Sequence, residues 1–488
     1  MKYYKIRENR TFVGRRREQE LLRSIMARNE SAMVVVHGRR RVGKTELIEQ
    51  TFRMRNVLKF EGLEGRTEND QREAVLEQLA EYLEQPILRK VKVTSWREIF
   101  KLIAEATEHG EFTIYLEELQ WLANYKDELV SDLKYVWDNY FRKNNGLILI
   151  LCGSAPSFMV NKVLHSSALY NRSQYEVALQ EFSLVEVREF LGDKISAQEV
   201  MDAYLSVGGM PEYLKYMHTG SSIFLSLCKQ SFLRDGFFLN EYKRVFTSSL
   251  ASNKHYKTII EFLAQRKYAS RSDIAKHLKI KPGGTLSELL ENLELSGFIQ
   301  KYAPYNLGQD SKLARYAIAD NYLQFYFKFI KPRRSEIVSN MFETNPSAAL
   351  NVASYQKWLG FSFERFCRKY KWVLANILGF GAVRYRSGVY FRKEKADSRG
   401  FQIDLLYERD DKVVTVCEMK YLQSKCRASV IDEMERKLAL LEIPSSRTIQ
   451  KVLVTTIGAD ESLIRRAYFD RVITLDELMN PVYCGSPY

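Results

Sequence analysis

Gly38-Arg39-Arg40-Arg41-Val42-Gly43-Lys44-Thr45 reads G-x-x-x-x-G-K-T and directly follows the apolar run Met33-Val34-Val35-Val36. Strand, glycine loop and helix in that order make a phosphate-binding loop. The glycines let successive backbone N–H groups, those of Arg39, Arg40, Arg41 and Val42 among them, turn inward around phosphate oxygens. Lys44 is placed to reach the β- and γ-phosphates, and Thr45 to offer its hydroxyl to Mg²⁺. The helix opening at about Glu46, with Leu47, Ile48 and Phe52 on one face, points its positive dipole end at the anion. The expected ligand is ATP with Mg²⁺. A bland Gly-rich turn would need neither the buried strand before it nor the amphipathic helix after it.

Outward from the loop, Phe112-Thr113-Ile114-Tyr115-Leu116-Glu117-Glu118 is a second signature. An apolar run ending in two carboxylates fits a buried parallel strand whose C-terminal tip faces the phosphates. Glu117 is then the Mg²⁺ carboxylate, and Glu118 orients or deprotonates the attacking water. A further apolar run, 147–152, ends at Gly153-Ser154, where Ser154 is a candidate for sensing the γ-phosphate or else a plain turn residue. Arg172, in Leu169-Tyr170-Asn171-Arg172, is a candidate to reach a neighbouring subunit's γ-phosphate, which implies a homo-oligomer; a surface ion pair is the alternative. Helices are expected at 16–28, 67–85 and 95–107, and a strand at 57–60.

At 488 residues the chain is long enough for about three domains. A net charge of +14 raises the expectation of a nucleic-acid partner. The six cysteines form no C-x-x-C pair, which points to reduced thiols in a cytoplasm rather than a disulfide frame or zinc site. No apolar run is long enough to cross a bilayer, and the first residues lack a signal-peptide core.

The Phe12-Val13-Gly14-Arg15 opening, the glycine loop, Glu117-Glu118-Leu119-Gln120-Trp121-Leu122, the Gly153-Ser154 tip and Gly208-Gly209-Met210-Pro211-Glu212-Tyr213-Leu214 together resemble the prokaryotic AAA+/STAND-type ATPases. More narrowly they resemble the archaeal-type group that carries a C-terminal nuclease-like domain. The resemblance implies an ATPase core at 1–178 and a helical lid at 179–250. Glu117 departs from that family's usual Asp, which puts turnover in more doubt than binding.

The lid is expected as helices at 185–191, 197–207, 211–218 and 223–242, with Pro211 in a first helical turn. Residues 251–335 read as a winged helix, with helices at 259–263, 272–278 and 285–296, wing strands at 298–302 and 315–318, a Thr285/Glu288 capping box and Gly297 as terminator. Glu288, Glu291 and Glu294 make the third helix a poor groove reader, so packing or relay is favoured over sequence readout. Residues 320–330 are aromatic core, and Lys331-Pro332-Arg333-Arg334 reads as a linker.

The last unit, 345–488, carries the second constellation. Strands at 402–406 and 414–420 flank an Arg409-Asp410-Asp411-Lys412 turn, which brings Asp404 opposite or diagonal to Glu418. Alternation puts Glu418 and Lys420 on one face. Two carboxylates there, with Glu364 from the aromatic helix around 361–366, would hold Mg²⁺ or Mn²⁺, and Lys420 would orient a water. This resembles the PD-(D/E)xK nuclease core, although Ile403 stands where that pattern has Pro. The basic, aromatic stretch 365–399 suggests DNA. The expected fold is therefore multidomain α/β: a phosphate-loop ATPase with parallel sheet and helical lid, a winged helix, and a C-terminal restriction-endonuclease-like domain. Function follows as ATP-governed DNA binding or cleavage, with two rivals. One is a signalling or assembly switch with an inert C-terminal scaffold; the other is an initiator-like DNA-binding ATPase.

Overall fold

The computed structural model describes residues 1–172, 175–217, 222–246, 253–302, 314–392 and 401–484. Five parallel strands, β1 (Ala32–His37), β2 (Asn56–Glu61), β3 (Phe112–Glu117), β4 (Leu147–Gly153) and β5 (Tyr175–Ala178), form the first sheet in the order β2-β3-β4-β1-β5. Every residue of β1, β3 and β4 is buried, as continuous apolar runs between two helical layers require. Because β4 is inserted between β1 and β3, strand order breaks beside β1, where α/β sheets open a ligand crevice. The pairs His37↔Gly153 and Leu116↔Leu151 bring the tips of β1, β4 and β3 out level, so the glycine loop, Ser154 and Glu117 share one edge.

Helices Arg16–Met26, Glu68–Leu83 and Trp96–Ala106 form where the periodicity places them. The last two start at capping boxes on Thr67 and Ser95. Among the lid helices, Ala197–Val207 agrees with the reading, while Pro211–Lys215 is shorter than expected; His218 lies outside the described residues. The single helix expected at 223–242 is two, Ile223–Phe232 and Phe237–Arg244. The chain turns at Gly236, where a Cβ would stand 2.5 Å from Gln230 O.

Residues 254–295 form three helices, Lys254–Ala264, Arg271–Leu278 and Gly284–Leu295. They pack with a three-stranded antiparallel sheet of β6 (Ala269–Ser270), β7 (Ile299–Tyr302) and β8 (Arg315–Ile318), in the order β6-β8-β7. The Thr285 capping box does not form: the helix begins one residue earlier, capped by Gly283 with no side-chain bond. The expected linker at 331–334 is also overturned. Lys331–Arg333 is a tight helical turn running into helix Arg334–Val338, because the buried rings of Tyr326 and Phe329 and the side chain of Ile337 hold both sides of it to the core.

The C-terminal sheet runs β13-β12-β11-β10-β9, from β9 (Tyr385–Arg392), β10 (Phe401–Arg409), β11 (Val413–Lys420), β12 (Thr448–Thr455) and β13 (Arg471–Ile473). Strands β9, β10 and β11 form an antiparallel meander; β12 and β13 are parallel to β11. Leu405, Tyr407, Cys417 and Met419 join one large core with the helix Val352–Lys369, the lid and one face of the first sheet. Leu406, Val414 and Val416 face the other way, against Met434 of helix Val430–Ala439. The cysteines among the described residues are free, and no described helix is long and apolar enough to cross a membrane.

Candidate active site

Gly43 has φ 93°, a conformation that favours glycine, and caps helix Lys44–Phe52. The buried Lys44 ammonium donates to Gly38 O at 2.9 Å and Arg39 O at 3.0 Å, so it sits in the loop's own concavity. Gly38 is required by crowding: a Cβ there would lie 2.3 Å from Leu179 O.

The Thr45 hydroxyl donates to Glu117 Oε1, which also accepts from Tyr115 at 2.7 Å. Lys59 Nζ lies 2.6 Å from Glu117 Oε2. Burial opposes the Lys59 charge, but Glu117 and Glu49 outweigh it and hold its pKa above the ordinary lysine value. A hydroxyl and a carboxylate in contact beside the loop are an oxygen-only donor pair that fits a hard cation such as Mg²⁺.

Glu118 behaves differently. Its backbone is left-handed (φ 52°), which turns the side chain toward β4. There a single oxygen, Oε2, accepts from Ser154 N (3.1 Å), Ser154 Oγ (2.6 Å) and Gln120 Nε2 (2.7 Å). Gln120 also donates to Ser154 Oγ at 3.1 Å and is fully buried. Sequence reasoning assigned Gln120 no role. The available signal was a buried amide two positions after the carboxylate, at a strand tip where only a hydrogen-bonded polar group is tolerated.

Two of the loop's arginines turn their side chains outward. Arg39 pairs with Asp320 (2.7 Å) and lies over the Phe298 ring at 4.3 Å. Arg41 pairs with the buried Glu241 of the lid, which also accepts from Tyr213 at 3.0 Å. Arg40 is exposed. Arg15, another missed residue, is 3% exposed, donates to Val42 O at 2.8 Å and stacks on Phe182, so the Phe-Val-Gly-Arg segment braces the loop from outside. Glu46 accepts from Asn9 at 2.8 Å. Arg172 makes a two-point pair with Asp138, at 2.7 and 2.9 Å.

Residues 12–217 match the model of an ATPase domain found predominantly in Archaea. That segment is similar to archaeal-type ATPase domains. Along nearly its whole length it is similar to an uncharacterized protein of Methanocaldococcus jannaschii, 26% identical over 457 residues that cover 92% of this chain and 97% of the relative. Among solved structures, a Walker-type ATPase of Pyrococcus abyssi is 19% identical and covers 67% of this chain and 99% of its own, with a TM-score of 0.47. The ORC2 protein of Aeropyrum pernix, an ADPNP–ADP complex, is 14% identical and covers 70% and 97%, with a TM-score of 0.41.

Far from the ATPase domain in sequence, the β10–β11 register (Leu405↔Cys417) sets Asp404 opposite Glu418 one step further on. Both are buried. Asp404 Oδ2 accepts from Met419 N at 3.1 Å, and burial, then Glu418 and Glu364, push its pKa up to about 7. Glu418 is 1% exposed and flanked by two ammoniums, Lys420 Nζ at 2.8 Å from Oε1 and Lys437 Nζ at 2.7 Å from Oε2. Glu433 bridges the same lysines, at 2.8 and 3.2 Å. Glu364 pairs with Arg368 at 3.5 Å. Among the described residues no three His, Cys, Asp or Glu side chains gather into a metal-holding group. Asp404, Glu418 and Glu364 lie near enough that the other two raise the Asp404 pKa, while Lys420 and Lys437 hold Glu418. Lys437, on a helix with no recognised motif, was missed.

The basic stretch is partly spent internally. Arg365 donates to Ser362, Arg368 pairs with Glu364, Lys369 with Glu181 and Arg386 with Glu408. Lys393, Lys395 and Arg399 lie outside the described residues.

Proposed function

We propose that this chain is an ATP-hydrolysing switch whose nucleotide state is passed through the lid to the C-terminal domain. The observation that carries it is the level edge of three strand tips, where Lys44, Thr45–Glu117 and Glu118–Ser154 stand together. Bound Mg²⁺ would supply charge neutralisation at the phosphates, with Thr45 and Glu117 as the residues that would hold it. Glu118 orients or deprotonates the attacking water once it leaves Ser154 and Gln120. Arg172, released from Asp138, reaches the γ-phosphate of a neighbouring copy in a homo-oligomer.

The lid helix Ala197–Val207 supports the coupling. Its Tyr204 bonds both Glu181 and Tyr370, its Ser206 bonds Tyr355 at 2.8 Å, and its Asp202 accepts from Tyr421, the residue after Lys420. Glu181 also accepts from Gly209 N at 2.9 Å and pairs with Lys369. Any lid movement over the nucleotide therefore loads the C-terminal domain at three points on one helix.

We further propose DNA as the partner, on the net charge of +14. The basic C-terminal domain would be the part that meets it. The second reading, an assembly switch with an inert C-terminal domain, is favoured by the lysine-paired Glu418. DNA binding that falls steeply with salt supports the first reading; nucleotide-dependent oligomers without DNA binding support the second. The decisive first experiment is Lys44→Ala. Loss of ATP binding with an unchanged circular dichroism spectrum is expected, and retained ATP binding would remove the loop from the mechanism.

A further inference from the structure

Three observations in the C-terminal pocket belong together. Glu418 is almost fully buried, yet both its oxygens face ammoniums at 2.7 and 2.8 Å. Lys437 is itself buried, with a side chain 8% exposed, and arrives from helix Val430–Ala439 rather than from the strand that carries Lys420. Asp404 stands opposite Glu418 on the same sheet face, close enough that Glu418 raises the cost of the Asp404 charge. Two buried carboxylates facing each other are stabilised by a cation set against them. Here the chain supplies it.

We infer that the Lys437 ammonium occupies the cation position between Asp404 and Glu418, so that this pocket excludes divalent ions while Lys437 is in place and becomes a divalent-cation site when it is removed. An ammonium held 2.7 Å from a carboxylate oxygen covers the approach that a Mg²⁺ or Mn²⁺ ion needs at about 2.0–2.2 Å. Lys420 alone does not close the pocket. Lys420 Nζ, 2.8 Å from Glu418 Oε1, is the looser of the two ammoniums: its side chain is 28% exposed against 8% for Lys437. Glu433 ties Lys437 in place from one turn earlier, at 3.2 Å. The inference is independent of the ATPase reading, since none of these groups touches the glycine loop.

The test uses the full chain without nucleotide, with Mn²⁺ as the probe and water-proton relaxation as the readout. Wild type and Asp404→Asn are expected to bind Mn²⁺ equally, because the carboxylate pair is closed in both. Lys437→Met is expected to bind Mn²⁺ about tenfold more tightly or better, with a rise in unfolding temperature on adding Mn²⁺, as binding to the folded state alone requires. Adding Asp404→Asn to Lys437→Met should abolish both effects. Lys437→Gln, which keeps a donor to Glu418, should lie between wild type and Lys437→Met. If Lys437→Met does not fold, the wild-type comparison still decides: Mn²⁺ binding that weakens in Asp404→Asn overturns the inference. So does a folded Lys437→Met with wild-type Mn²⁺ affinity.

Discussion

Replacing Arg41 by Met tests whether the phosphate loop and the lid are joined by charge. Glu241 is 1% exposed, and its carboxylate has two partners, Arg41 and Tyr213. Arg41→Met keeps the side chain's bulk and leaves that carboxylate facing one phenol. Removing one partner of a buried pair costs about 3–5 kcal/mol. In a unit of about 150–250 residues each kcal/mol moves the unfolding temperature by about 2–4 °C, so the lower bound is a fall of about 6–12 °C. Burial already pushes the Glu241 pKa up. Without Arg41 it rises further, and the folded state then binds a proton that the unfolded state has released. The penalty is full above that folded pKa and shrinks as pH falls through it. Arg41→Met with Glu241→Gln removes both charges and should recover most of the loss. Scanning calorimetry of the wild type, both single variants and the double variant, at about pH 8 and about pH 6, gives the coupling directly. Single losses that add to within about 0.5 kcal/mol at the higher pH, or a loss that ignores pH, would refute the reasoning.

Gln120→Leu removes a buried donor to Glu118 and is expected to lower ATP turnover by up to about a hundredfold with ATP affinity kept within about twofold; equal losses in both would mean damage to the loop instead. Glu118→Gln should abolish turnover while ATP still binds, read by turnover and equilibrium titration side by side. Asp202→Asn tests the lid contact to Tyr421. Burial first raises the Asp202 pKa from 3.8 to about 6, so its charge weakens the fold above that range, by up to about 3 kcal/mol. The Asn variant should be the more stable at about pH 8, with the gap closing toward about pH 4, and a gap that stays constant with pH would count against it.

Local physics made much of this legible. A run of six buried residues before a glycine loop can only be an interior strand, and Phe112–Glu117 repeats the pattern, so β1, β3 and their polar tips were readable. The hairpin centred near Asp411 fixed Asp404 against Glu418, because antiparallel pairing leaves no freedom once the turn is placed. Helix boundaries that depend on close packing were not readable. The break at Gly236 answers to a carbonyl six residues earlier in space-filling terms, and the Lys331–Arg333 turn answers to its flanking buried side chains.

What the sequence alone determined is the chemistry offered: a triphosphate loop, a carboxylate pair after a strand, and an acidic hairpin with a lysine. What only the tertiary structure decided is who holds those groups. Ser154 and Gln120 hold Glu118, Asp320 and Glu241 draw Arg39 and Arg41 away from the loop, and Lys437 sits on Glu418 from a helix 19 residues on. Side-chain type and spacing set which charges exist. Their partners are set by burial, because a charge withdrawn from water takes whichever opposite charge the fold brings within reach.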